Sequence, residues 1–195
     1  MKNSKSKGII IGIIAVSVAI VLLLVGIFIL RNKKPKAVYL EEISISTFVD
    51  NFNKKLKDSN IEYLANEDYL IKEDKFYWYG LYEDVVLHIV PIKYSGDLTK
   101  DTILETGIFF DKGSANEELA MNYLANLIKT NDSKLTDEQV NEIIKQAKEL
   151  GKDNVNTKNG TGYANYGLVV TYWDNEDNYH YSIERERKPE NEKNN

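Results

Sequence analysis

Apolar side chains run without a break from Gly8 to Leu30, GIIIGIIAVSVAIVLLLVGIFIL, with Ser17 the only polar one. At a rise of 1.5 Å per residue such a run reaches roughly 34 Å, and the hydrocarbon core of a bilayer is about 30 Å thick. The run predicts a transmembrane helix over residues 8–30. A cleaved signal peptide has a shorter apolar region that ends in a small-residue cleavage site. Here the run is followed by Arg31-Asn32-Lys33-Lys34-Pro35-Lys36. The expectation is therefore a retained anchor, with residues 1–7 as a short basic tail and 31–43 as a basic tether.

Beyond the tether the pattern becomes periodic. Ile45, Phe48, Val49, Phe52 and Leu56 fall on one helical face, with Ser44 or Ser46 as the cap, and predict a helix from about Ser46 to Lys57. Ser114 and Glu117 have the spacing of a capping box, followed by a stripe of Leu119, Tyr123, Leu124, Leu127 and Ile128. Thr136 and Gln139 form a second box, flanked by Leu135 and Val140 as a hydrophobic staple. Val140, Ile143, Ile144, Ala147 and Leu150 continue that helix, and Gly151 is its expected stop. Aromatic and β-branched segments predict strands at 76–82, 85–92, 103–110, 163–173 and 179–186. Pro91 has no amide to donate, so pairing should weaken there.

The order α-β-β-β-α-α-β-β predicts an α+β fold over residues 44–187. It would be a two-layer domain, with a mainly antiparallel sheet of about five strands and helices on one face. The order resembles that of small α+β folds, secretion-chaperone-like ones among them, and this likeness implies nothing about activity. The tail 188–195 is polar and reads as disordered.

Charge divides the chain. Seven of the 25 Lys and Arg precede residue 37 with no acid among them, while all 30 Asp and Glu follow it. The domain is acidic, which disfavours nucleic acid and anionic headgroups as its partners. The basic flanks suit a membrane surface. Lys2, Lys5 and Lys7 precede the span, and Arg31, Lys33, Lys34 and Lys36 follow it, a near tie that taken alone leans slightly toward a cytoplasmic C-terminal domain. The very short N-terminal tail is common in anchors that export the domain behind them, so the domain is expected outside the cytoplasm. Cysteine is absent, which excludes disulfides, cysteine zinc sites and a lipidated cysteine.

No residue set rises to a catalytic, cofactor or metal motif, and none is expected. Asp174, Glu176 and Asp177 resemble the start of a calcium loop, but Tyr179 stands where glycine is required and Arg185 where the bidentate glutamate belongs. The glycines at 160, 162 and 167 miss the phosphate-loop spacing, since Asn165 stands at the third glycine position. His88 and His180 are isolated in sequence. The 13 tyrosines and two tryptophans crowd the strands, and alternation prevents all of them from facing the helices. Tyr77, Trp78, Tyr79, Tyr172, Trp173 and Tyr179 are the candidate interaction surface. Gly8 with Gly12, and Ala15 with Ala19, would let two spans approach in a weak homodimer.

The expectation is a single-pass, non-catalytic binding domain of a bacterial cell envelope. It would be held in the bilayer by residues 8–30 and would contact an envelope protein or a wall ligand. The alternatives are a tethered envelope hydrolase with a carboxylate pair and a subunit of a secretion or conjugation assembly.

Overall fold

The computed structural model describes residues 40–153, 163–165 and 168–185, all within one compact unit, Val38–Asn195. The apolar run 8–30, the small-residue pairs within it, and Gly160, Gly162 and Gly167 lie outside the described residues. Among the described residues no helix is long and apolar enough to cross a membrane.

Helix α1 (Ile45–Asp58) starts at Ser44, whose Oγ accepts the Thr47 amide at 3.3 Å. Its buried face is Ile45, Phe48, Val49, Phe52 and Leu56, the five residues that the spacing selects. It ends in a Schellman turn. Asn60 takes a φ of 57° and donates to Lys57 O, and Ile61 donates to Leu56 O.

Strands β1 (Leu70–Glu73), β2 (Phe76–Tyr82), β3 (Val85–Pro91) and β4 (Ile103–Asp111) follow as a meander. Helices α2 (Glu117–Asn131) and α3 (Asp137–Asp153) come next, then β5 (Tyr163–Asn165), β6 (Leu168–Asp174) and β7 (Asn178–Arg185). The strands form one seven-stranded sheet in the order β1-β2-β3-β4-β7-β6-β5. Every neighbouring pair is antiparallel. The domain is α+β, with two more strands than the sequence pattern shows. Both are short and lie at the sheet edges. β1 escapes notice because its turn, Asp74 and Lys75 at φ 51° and 69°, lacks the Gly or Asn that marks such turns. β5 and β6 divide the single strand expected over 163–173, with Asn165 paired to Leu168. At Pro91 the pairing with β4 shifts register, as a missing amide requires.

The Thr136 box forms reciprocally: Gln139 N–H donates to Thr136 Oγ1 at 3.3 Å, and Thr136 N–H to Gln139 Oε1 at 2.9 Å. The Ser114 box does not form. α2 begins at Glu117, and Ser114 Oγ accepts the Asn116 amide at 2.9 Å instead. Asn116 Nδ2 is engaged by Glu83 and Asp84 of the β2–β3 turn (2.7 and 3.0 Å), and this tie accompanies the later helix start. Gly151 is not a stop but part of α3. A Cβ there would lie 2.7 Å from the Tyr172 ring and 2.8 Å from its carbonyl oxygen, so glycine allows α3 to close on β6. Leu150, expected in the buried stripe, is exposed, and Ala120 is more buried than Leu119.

Two polar ties fasten the chain as it enters the domain. Asp101, buried, accepts from the Tyr77 hydroxyl, the Ser95 hydroxyl and the amides of Ser95 and Gly96, while its own carbonyl accepts the Ile45 amide at 2.9 Å. Arg185, at the end of β7, is also buried. It donates to Glu41 O at 2.7 Å and to Asn131 O and Oδ1 at the end of α2, both at 3.3 Å. Ser44 bridges Thr102 beside β4, and Ile103 N–H donates to Ile43 O at 3.1 Å.

Register assigns side chains to faces. Tyr77, Ile89, Thr106, Ile183 and Val170 form one row across five strands, and Tyr79, Leu87, Ile108, Tyr181 and Tyr172 form another. All ten are buried, and the apolar ones share a core cluster with residues of all three helices. Alternation sends Trp78, His88, Ser182, Phe109, His180 and Trp173 to the opposite face, and none of these belongs to that cluster.

Candidate functional site

Trp173, His180 and Phe109 are direct cross-strand neighbours on β6, β7 and β4. Their planes differ by 10° and 5°, and their centroids are 4.7 and 3.8 Å apart. Adjacent strands lie about 4.8 Å apart. The rings therefore stand like plates in a rack, faces against one another and edges toward the outside. Trp78 on β2 closes the array, 5.7 Å from the Phe109 ring and 5.6 Å from the His88 ring.

A polar group lies at the middle of this face. His88 is 4 % exposed and sits over Gly107. A Cβ on Gly107 would fall 2.2 Å from His88 Cε1 and 2.5 Å from Tyr181 O, so only glycine leaves room for the imidazole. His88 Nε2 lies 3.3 Å from Glu105 Oε1, and the Ser182 hydroxyl donates to the same oxygen at 2.5 Å. Burial is the largest influence on Glu105 and raises its pKa. The hydrogen bonds from His88 and Ser182 outweigh it and leave the carboxyl below its ordinary value. His180 is pushed down to about 3, by burial first and by His88 second. At neutral pH the face thus holds an ionised Glu105 and an uncharged His180. His88 Nδ1 and His180 Nε2 are buried without a hydrogen-bond partner among the described residues.

This arrangement differs from a nucleophilic relay. There the histidine stands between the serine and the carboxylate. Here Glu105 stands between His88 and Ser182, so the serine proton points at the acid. Glu105 and Glu184 are direct cross-strand neighbours, the nearest approach on this face to a glycosidase pair. The acid member of such a pair needs a raised pKa. Glu105 is lowered, as are Asp84, Asp97, Asp101 and Glu138. Among the described residues no group of three or more acidic or histidine side chains is arranged to hold a metal ion. The Glu105 group is best described as a clasp that locks β3, β4 and β7 under the aromatic array.

Of the six candidate surface residues, Trp78 and Trp173 lie on this face. Tyr77, Tyr79 and Tyr172 must be corrected. They are 0, 1 and 2 % exposed on the helix-covered face, because sequence neighbours in a strand point in opposite directions. Tyr179 lies on the helix side too, against Phe110 and Tyr172, with the amines of Lys112 and Lys148 over its ring. The acidic turn is fastened to the sheet: Asp174 pairs with Lys112, and the Asp177 carbonyl accepts the Lys112 amide at 3.0 Å. Glu105, Phe109 and Ser182 escaped the sequence reading, and register brings His88 and His180, isolated in sequence, to 5.0 Å between ring centroids. Gly107 inside an apolar strand was the available signal, since glycine there marks a close approach.

Compared with protein-family models, characterised proteins and solved structures, the chain matches none.

Proposed function

We propose that the protein is a single-pass membrane protein of a bacterial envelope, whose extracytoplasmic domain binds another envelope protein without catalysis. Residues 8–30 are the anchor. The binding surface is the sheet face that carries Trp78, Phe109, His180 and Trp173, and this aromatic array is the observation that supports the reading. Aromatic side chains are enriched at protein interfaces. The ring packing favours a protein over a wall glycan. A sugar stacks on an open aromatic face, whereas the faces of His180 and Phe109 are taken up by their neighbours and their edges remain.

A photo-crosslinking amino acid at position 173 or 78 of the full-length protein tests this in native membranes. Adducts with a defined envelope protein are expected from both positions and not from position 145 on the exposed side of α3. Equal labelling at all three, or none at 78 and 173, refutes the proposed surface. Both tryptophans of the chain lie on this face, so tryptophan emission of the isolated domain reports its occupancy directly.

A further inference from the structure

β1 pairs only with residues 76–79 of β2. Beyond that point lies a notch of about 360 Å³, lined by Tyr63, Tyr69, Gly80, Leu81, Tyr82 and Glu83. Small-molecule sites span roughly 300–1,000 Å³. The Leu70–Tyr79 pairing, taken one step further, sets Tyr69 opposite Gly80, and a Cβ on Gly80 would lie 3.7 Å from Tyr69 Cβ. Gly80 therefore leaves the floor beside Tyr69 free of a side chain. Leu81 is the extra residue of a bulge, since Gly80 pairs with Val86 and Tyr82 with Val85. Past the bulge, the centroid of the Tyr82 ring lies 4.3 Å from that of Tyr63, with the planes inclined by 43°. The two rings form an open V rather than a stack. Four large hydrophobic side chains among the described residues are exposed, and Tyr63 and Tyr69 are two of them.

The notch is electronegative. Glu83, exposed and at a φ of 40°, is held at its rim by Asn116 Nδ2, which donates to Oε2 at 2.7 Å. The Glu83 charge raises the Tyr82 phenol above its ordinary pKa, so the ring keeps its proton at neutral pH. Glu62 and Asp68, next to Tyr63 and Tyr69 in sequence, are exposed as well. Among the described residues no lysine, arginine or histidine lines the notch. We propose that this notch binds a quaternary ammonium group, the trimethylammonium head of choline and its derivatives. Ring faces attract such a cation through their quadrupole, most strongly where water is shed. A primary ammonium has three donors to satisfy, and Glu83 is the one carboxylate on the lining. A quaternary group has no donors, and its methyl groups suit the tyrosine rings and the bare Gly80. Along the same row of the sheet Val86 stands between Gly80 and Phe109. The notch is thus separate from the aromatic array, and the proposal stands without the role assigned to that array.

The test is a titration of the full-length protein with choline chloride in maltoside micelles, which carry no ammonium group. Binding is read from tyrosine ring resonances and by calorimetry. Saturable shifts are expected at Tyr63, Tyr69 and Tyr82. The neutral isostere in which carbon replaces nitrogen (dimethylbutanol) and the primary amine ethanolamine should each bind roughly tenfold more weakly than choline. Tyr69→Ala should weaken choline binding roughly tenfold, and Tyr69→Phe should keep it. Tyr69 is 66 % exposed, so both variants should fold. Glu83→Gln should weaken binding roughly threefold and reduce its salt dependence. Glycerophosphocholine separates two sources of the same group. Affinity equal to that of choline assigns a lipid headgroup, and clearly lower affinity assigns a cation without phosphate. No saturable shift at the three tyrosines, equal affinity for dimethylbutanol or for ethanolamine, or undiminished binding by Tyr69→Ala would each overturn the proposal.

Discussion

The two faces of the sheet are made by alternate residues of the same strands, yet they solve different problems. On the helix side, Tyr77, Tyr79, Leu87, Ile89, Ile108, Tyr181 and Ile183 are sealed beneath α1, α2 and α3. On the other side, Trp78, Phe109, His180 and Trp173 seal one another, ring against ring, over a charged clasp. One face gains its order from burial in a layer. The other gains it from stacking and hydrogen bonds within a single layer of side chains. The comparison teaches that aromatic content alone does not mark a surface. Only the register separates Trp78 from Tyr77 and Tyr79.

The comparison can be broken by substitution. Leu87→Ala empties the sealed face and should cost about 2–5 kcal/mol in urea unfolding of residues 38–187. Trp173→Ala removes a larger side chain from the other face and should cost clearly less. If both substitutions unfold the domain, the two faces are alike and the proposed binding surface is core.

Gly107→Ala acts where the clasp meets the backbone and should cost about 1–3 kcal/mol by overpacking. His88→Ala in the same chain should recover part of that loss in a double-mutant cycle. Additive losses would show that His88 does not need the glycine.

Acid should affect the aromatic face before the clasp. The folded-state pKa of His180, about 3, lies below its ordinary value of about 6.5. The unfolded chain therefore takes up a proton that the folded one refuses, and stability falls as the pH drops from about 6.5 toward 3. The ceiling is about 1.4 kcal/mol per pH unit, or about 2 kcal/mol between pH 7 and 5. The lowered carboxyls Glu105 and Asp101 act in the same sense only at more acidic pH. His180→Phe keeps a ring in the stack and should flatten the loss between pH 7 and 5. An unchanged slope would mean that His180 titrates freely.

The smallest effects separate the two helix starts. Thr136→Ala should cost roughly 1 kcal/mol. Ser114→Ala should cost less, because Ser114 supports a turn rather than an amide of the helix's first turn. A larger loss at Ser114 would reverse the assignment made from Asn116.

What was legible in the sequence follows from the range of the forces involved. α1 and its five buried residues are a local pattern, set by 3.6-residue periodicity and a serine cap. The Thr136 box is also local, three residues wide, and forms as spaced. The Ser114 box fails because Asn116 is held by Glu83 and Asp84, more than thirty positions away, which no local spacing reveals. β1 was hidden by a left-handed turn made of Asp and Lys. The aromatic face was legible only in part. Alternation separates the faces, but it cannot say which phase meets the helices when Tyr and Trp occupy both. The clasp was not legible at all, because His88, Glu105 and Ser182 meet only through the register of three strands.

The ties of Arg185 and Ile43 set how the domain would bear mechanical load. The entering segment is fastened at Glu41 to the end of β7 and at Ile43 and Ser44 to the start of β4. These are neighbouring interior strands joined by a ladder of seven paired positions, equalled only by that of β6 and β7. Tension applied to the chain ahead of Glu41 would therefore load interior strands rather than peel the short edges at β1 and β5. Arg185→Lys keeps a positive charge but loses the forked donors that reach Glu41 and Asn131 together. Under an optical trap that pulls from the N-terminal side, this variant should yield at a lower force while its urea midpoint moves little.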